Sequence, residues 1–79
     1  MPATISIRPP APREAFAIRR LAYLDSQRPL RGDVLVAFED DDAVAAISLA
    51  DTRVVADPFR ATALAVELLR LRVALPAAA

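Results

Sequence analysis

The chain has 79 residues with no cysteine and no histidine, and its ten acidic residues balance its ten basic ones. The missing residue types exclude disulfides, thiolate or imidazole zinc sites and imidazole-based catalytic triads, and the zero net charge predicts no general attraction to nucleic acid or to an anionic membrane. With 56% apolar residues in so short a chain, we expect a single domain over residues 1–79, with thin stability and some apolar surface packed against another chain.

Four segments of the chain predict β-strands. Residues 4–8 alternate apolar and polar side chains, as in a half-buried strand, whereas residues 34–38 form an unbroken apolar run that is typical of a strand covered on both faces. Two further apolar runs, residues 43–49 and 53–56, each follow a turn that contains aspartate. We therefore expect the last three strands to form an antiparallel meander.

Two segments predict helices. Residues 12–26 place apolar side chains at spacings of three, which is typical of an amphipathic helix. The second helix is expected to begin with Asp57 or Thr62 as its N-cap and to end by Leu75, before a tail over residues 76–79 that we expect to be disordered. The order of elements predicts an α+β fold, ordered from about residue 4, in which two helices cover a mostly antiparallel four-stranded sheet.

The last helix carries two apolar stripes that are separated by more than about 90° around its axis. Because a domain of two layers can bury only one of them, the other must be covered by the first helix or by a second chain, and we favour a second chain in a homodimer. The first stripe consists of Leu64, Leu68, Leu71 and Leu75. The second stripe, which we predict to form the interface, consists of Val66, Leu69 and Val73.

Residues 54–60, Val-Val-Ala-Asp-Pro-Phe-Arg, end the fourth predicted strand and lead into the last helix. Together with residues 5–9, 12–14 and 34–37, this block follows the order found in the GNAT superfamily, and the match extends over nearly the whole chain. The chain therefore resembles the N-terminal half of a GNAT acetyltransferase. The resemblance implies a β-α-β-β-β-α half-domain without the superfamily's fifth strand, which normally splays from the fourth to make the slot for pantetheine, and without its usual tyrosine acid.

The resemblance also implies a place for the pyrophosphate of acetyl-CoA at the start of the last helix. The superfamily's phosphate-binding turn falls on residues 60–65, where Arg60 and Ala65 fit its pattern and Thr62 lies beside them. Ala63 stands in place of the first glycine, and its methyl group crowds the close backbone approach that a phosphate requires. We therefore predict no bound cofactor, with acetyl-CoA as the alternative, and neither catalytic residues nor metal ligands.

Three functions follow as hypotheses. The leading one is a non-catalytic GNAT-like half-domain that acts through self-association or a protein partner. The second is an acyl-CoA-binding, acetyltransferase-like protein whose site is completed by a second subunit. The third is a nucleic-acid adaptor, which we disfavour because acidic residues are interspersed among its arginines. The residues that such an adaptor would use are Arg19, Arg20, Arg28 and Arg31, with Tyr23 as a stacking ring.

The composition also bears on where the protein works. Every basic residue is arginine and alanine is abundant, which indicates a GC-rich bacterial coding bias. The N-terminus lacks the apolar stretch of a signal peptide, and the last helix is too short and too charged to cross a bilayer. We therefore expect a cytoplasmic protein that does not bind membranes.

Overall fold

A computed structural model describes residues 4–75. Its elements in chain order are β1 (Ile5–Arg8), a single 3-10 turn (Pro12–Glu14), α1 (Ala15–Leu24), β2 (Val34–Glu39), β3 (Asp42–Ser48), β4 (Val54–Ala56) and α2 (Ala63–Ala74). The strands form one sheet in the order β1-β2-β3-β4, and every neighbouring pair is antiparallel. An α+β fold with a four-stranded antiparallel sheet and two helices is thereby confirmed, while the predicted tail, residues 76–79, lies outside the described residues.

Both faces of β2 are covered, as its unbroken apolar run predicts. Val34, Val36 and Phe38 belong to one hydrophobic cluster, whereas Leu35 and Ala37 pack in the other. Successive side chains of a strand point to opposite faces of the sheet, so these residues contribute to two separate cores.

The two helices lie on opposite faces of the sheet. Leu21 and Ala22 of α1 are buried in one cluster, and Ala65 and Leu69 of α2 are buried in the other. The domain therefore has three layers, and the expectation of two layers is wrong. Because the sheet separates the helices, α1 does not cover the spare apolar stripe of α2, and that explanation for the stripe is excluded.

A β-bulge in β3 sets the position of the connection to α2. The pairing register between β2 and β3 shifts at Ala37 and Phe38, which leaves Val44 as the extra residue. Val44 and Ala45 consequently both pack on the side of α2. The carbonyl of Val44 accepts a hydrogen bond from the backbone N–H of Asp57 at 2.9 Å, which fixes the start of the turn after β4.

Arg8 joins β1 to the start of the first helical segment. Its guanidinium donates to both carboxylate oxygens of Glu14, each at 2.8 Å, and lies 4.1 Å from the centre of the Phe38 ring. The Glu14 carboxylate also accepts the backbone N–H of Ala11 at 2.7 Å. The hydrogen bond from Arg8, followed by that from Ala11, lowers the pKa of Glu14 to about 2.

Candidate functional site

The predicted phosphate-binding turn lies between β4 and α2. Asp57 is only 7% exposed, and its Oδ1 accepts the backbone N–H of Phe59 at 2.8 Å. Thr62 is the N-cap residue of α2, and its side chain makes no capping hydrogen bond. Of the two predicted N-caps, Thr62 is therefore the correct one, and Asp57 organises the turn that precedes it.

Arg60 faces the hairpin between β2 and β3. Its guanidinium nitrogens lie 3.0 Å from a carboxylate oxygen of Asp42, 3.8 Å from one of Asp57 and 3.9 Å from one of Glu39. The hydrogen bond to Asp42 is the largest cause of a pKa for Arg60 above its ordinary value. Since one guanidinium here meets three carboxylates, the surroundings of Arg60 carry a net negative charge and oppose the binding of a phosphate.

The residues that the resemblance assigns to acetyl-CoA differ in what surrounds them. Arg60 lines a surface depression with several carboxylates, and the side chains of Thr62, Ala63 and Ala65 do not line it. Ala65 is 2% exposed because it packs against the sheet, whereas Ala63 is exposed. Within the described residues, the ion-paired Arg60, the exposed Ala63 and the buried Ala65 therefore lie in different surroundings.

Side chains that follow α1 occupy the outer edge of β4. Asp25 Oδ2 accepts the backbone N–H of Ala56 at 3.1 Å, and Gln27 Nε2 donates to the carbonyl of Val54 at 3.0 Å. Gln27 Nε2 also donates to Asp25 Oδ2 at 2.7 Å, which holds the two side chains together. Asp25 thus supplies an acceptor and Gln27 a donor to the outer edge of β4. This is the edge at which the resemblance to GNAT enzymes places the slot for pantetheine.

The contacts of Asp25 and Gln27 with the edge of β4 have no signal in the amino-acid sequence. Asp25 and Gln27 stand at the end of a helix and in an irregular connection, where polar residues are ordinary and carry no particular signal. Their role depends on β4 lying beside the end of α1, and that placement is a tertiary one.

The three predicted interface residues of α2 face the sheet. Leu69 is 0% exposed, and Val66 and Val73 are partly buried against the same cluster. The expectation that this stripe is the one left exposed is therefore wrong. The physical reason is that Ala65 lies on the same side of the helix and that Ala45 faces it from the sheet, so small side chains allow a close approach of helix and sheet.

The four leucines of the other stripe point away from the sheet. Leu64, Leu71 and Leu75 are 62%, 56% and 56% exposed, and Leu68 between them is partly buried. The backbone N–H of Leu75 donates to the carbonyl of Leu71 at 3.1 Å, so Leu75 continues the helical row although α2 ends one residue earlier. We call this row the leucine face.

The arginines of the predicted basic patch divide between two surface depressions. Arg19 and Arg20 line one of them with Tyr23, which is 82% exposed, whereas Arg28 and Arg31 line the other. The structure does not bring the four arginines into one basic groove, and such a groove is the arrangement that a nucleic-acid strand would require.

Within residues 4–75, no group of three or more carboxylates is placed to hold a metal ion. None of the helices in that same part of the chain has the length and apolar character needed to cross a membrane. Comparisons of the chain with protein-family models, with curated proteins and with solved structures find no match.

Proposed function

We propose that this chain is a GNAT-like half-domain that acts without catalysis, by binding a second copy of itself through the leucine face. The observation that carries the proposal is the exposure of Leu64, Leu71 and Leu75 along one side of a helix whose other side is already buried by the sheet. Each Å² of apolar surface removed from water contributes roughly 25 cal/mol, so association stabilises a helix that is apolar on two sides.

The order of elements supports the likeness to GNAT. A strand, a helix, three antiparallel strands and a second helix follow one another, and the helices cover opposite faces of the sheet. The chemistry of the chain is consistent with a non-catalytic role, because a sequence without histidine or cysteine supplies neither an imidazole base nor a thiolate nucleophile.

A second copy is the partner that the composition favours. The formal net charge is zero, so two copies approach each other without general repulsion. Closed two-fold dimers are the commonest oligomers, and a chain of 79 residues gains the stability that its small core lacks when it associates.

The leucine face predicts a weak dimer. It is one helix wide and α2 has 12 residues, so the pair buries less than the roughly 800 Å² per partner of a standard interface. We expect a dissociation constant in the micromolar range, which corresponds to about −8 kcal/mol.

The acyl-CoA alternative has less support. It requires Arg60 to be free for a phosphate and the outer edge of β4 to be open, whereas Arg60 is paired with carboxylates and Asp25 and Gln27 occupy the edge. Calorimetry with acetyl-CoA separates the two functions. Saturable heat at millimolar ligand would favour the alternative, and no heat with an unchanged melting temperature would remove it.

Sedimentation equilibrium over the micromolar range tests self-association. We expect the natural chain to form dimers and Leu71→Glu to remain monomeric, because a carboxylate in the middle of the leucine face cannot be buried without a partner. Phe16→Glu is the matched control: Phe16 is 71% exposed on α1, on the other face of the sheet, and its replacement should leave the dimer intact. A natural chain that stays monomeric at about 200 μM would contradict the proposal.

A further inference from the structure

We infer that the two copies align their α2 helices in parallel, and that Glu67 of each copy pairs with Arg72 of the partner subunit. This inference rests on the proposed function, because it gives the orientation of the same dimer. It is carried by the positions of two charged side chains beside the leucine face.

The leucines follow the spacing of a coiled-coil seam. From Leu64 the next leucines come after four, three and four residues, so Leu64 and Leu71 take d positions and Leu68 and Leu75 take a positions of a heptad. Of the residues that pack on the sheet, Leu69 then falls at a b position and Val66 and Val73 fall at f positions, which a two-stranded coil leaves on its outside. Ala65 is also buried against the sheet and falls at an e position beside the seam. The helix can therefore keep its contacts with the sheet while the seam receives a second helix.

Charged residues flank this seam on both sides. In the same heptad Glu67 occupies a g position and Arg72 an e position, and these are the positions that pair across a coiled coil. Both side chains belong to exposed residues, and among residues 4–75 the salt bridges involve neither of them. They are available to a partner.

The two orientations differ in what these charges meet. In a parallel pair, a g residue faces the e residue five positions further along the partner, which brings Glu67 to Arg72 twice across the two-fold axis. In an antiparallel pair, g faces g and e faces e, so Glu67 meets Ala74 and Arg72 meets Ala65, and neither charge is compensated. Charge complementarity therefore selects the parallel pair.

Charge reversal tests the pairing. We expect Glu67→Arg and Arg72→Glu each to raise the dissociation constant by roughly tenfold, because each loses two ion pairs and creates two like-charge contacts. The double variant Glu67→Arg/Arg72→Glu restores both pairs and should return within about twofold of the natural chain. Arg70→Glu is the control, since Arg70 is exposed on the same helix but lies at a c position.

A mixture of the two single variants gives an independent readout. Glu67→Arg chains and Arg72→Glu chains repel their own kind and attract each other, so a parallel dimer predicts that the mixture associates more tightly than either variant alone. Single reversals without effect, or a double variant as weak as the single ones, would overturn the inference.

Cross-linking separates a wrong orientation from a wrong function. Because the chain has no cysteine, Leu64→Cys and Leu75→Cys each introduce a single thiol. A parallel dimer forms disulfides within each variant, whereas an antiparallel dimer forms them only when the two variants are mixed, since these positions lie about 16 Å apart along one helix. Cross-links confined to the mixture, or absent from a chain that sediments as a dimer, overturn the parallel orientation. A natural chain that sediments as a monomer overturns the proposed function as well.

Discussion

The orientation of α2 makes a prediction about two leucines that lie two residues apart. Leu69 is 0% exposed against the sheet, whereas Leu71 is 56% exposed on the leucine face. Replacement of each by alanine removes the same atoms from the same helix, and alanine is a good helix former in both places. The two variants therefore differ only in what the lost side chain contacts.

The expected losses follow from burial. Leu69→Ala leaves a cavity between helix and sheet and should lower the free energy of unfolding by about 2 to 5 kcal/mol. Leu71→Ala loses a side chain that the single domain leaves mostly in water, and we expect a loss below about 1 kcal/mol. For a domain of this size, about 1 kcal/mol corresponds to 4 to 8 °C, so Leu69→Ala should lower the melting temperature by at least about 8 °C.

Thermal unfolding followed by circular dichroism measures both losses in dilute protein, where a weak dimer is dissociated. Leu69→Ala is expected to be much less stable than Leu71→Ala. If Leu69→Ala does not fold while Leu71→Ala does, the loss at Leu69 exceeds the loss at Leu71, as the orientation of the helix predicts. Equal losses at the two positions, or a greater loss at Leu71, would refute the orientation of the helix.

Three further predictions concern the polar contacts. The pKa of Glu14 lies at about 2, below its usual value, so the stabilisation from its ionised carboxylate is complete above about pH 4.5 and is lost as the pH falls towards 2. Glu14→Gln should therefore flatten a plot of melting temperature against pH between these values. An unchanged slope would contradict this prediction. Asp25→Ala leaves the N–H of Ala56 without its acceptor, so it should lower the free energy of unfolding, measured in urea, by about 1 kcal/mol and promote aggregation through the edge of β4. Asp25→Asn keeps an acceptor oxygen and should lower the free energy of unfolding by less. Arg60→Glu places a fourth carboxylate beside those of Glu39, Asp42 and Asp57. Because like charges repel, this variant should lose more stability at pH 7 than at pH 3. A loss of stability that does not depend on pH would contradict the grouping of these carboxylates.

The elements themselves could be predicted from the sequence. Alternation in residues 4–8, the apolar run in residues 34–38 and the Asp57-Pro58 step identify strands and their ends with errors of one or two residues. These signals are local, because they depend on the period of the side chains and on turn residues. The antiparallel meander follows from them, since short turns join β2 to β3 and β3 to β4.

The orientation of α2 could not be predicted in the same way. Both of its stripes are apolar, and the more uniform one, with four leucines, is the one that faces solvent. The stripe that packs on the sheet lies beside Ala65, which shares a buried cluster with Ala45 of β3, and small side chains on both surfaces allow close packing. Such complementarity belongs to the pair of surfaces and is invisible in either segment alone.

The environment of Arg60 could not be predicted from the local sequence either. A pattern of residues at the start of a helix suggests a phosphate site, but the carboxylates of Glu39 and Asp42 reach Arg60 from a hairpin far away in sequence. The edge of β4 is similar, because Asp25 comes to Ala56 only through the tertiary fold. Local patterns therefore located the turn correctly and did not identify what surrounds it.

Isotope-filtered NOE spectroscopy on a mixture of labelled and unlabelled chains tests most directly whether a second copy covers the leucine face. We predict contacts between subunits from the methyl groups of Leu64, Leu71 and Leu75, and none from the exposed rings of Phe16 and Tyr23 on α1. An absence of contacts between subunits at millimolar concentration, or contacts confined to α1, would contradict the account.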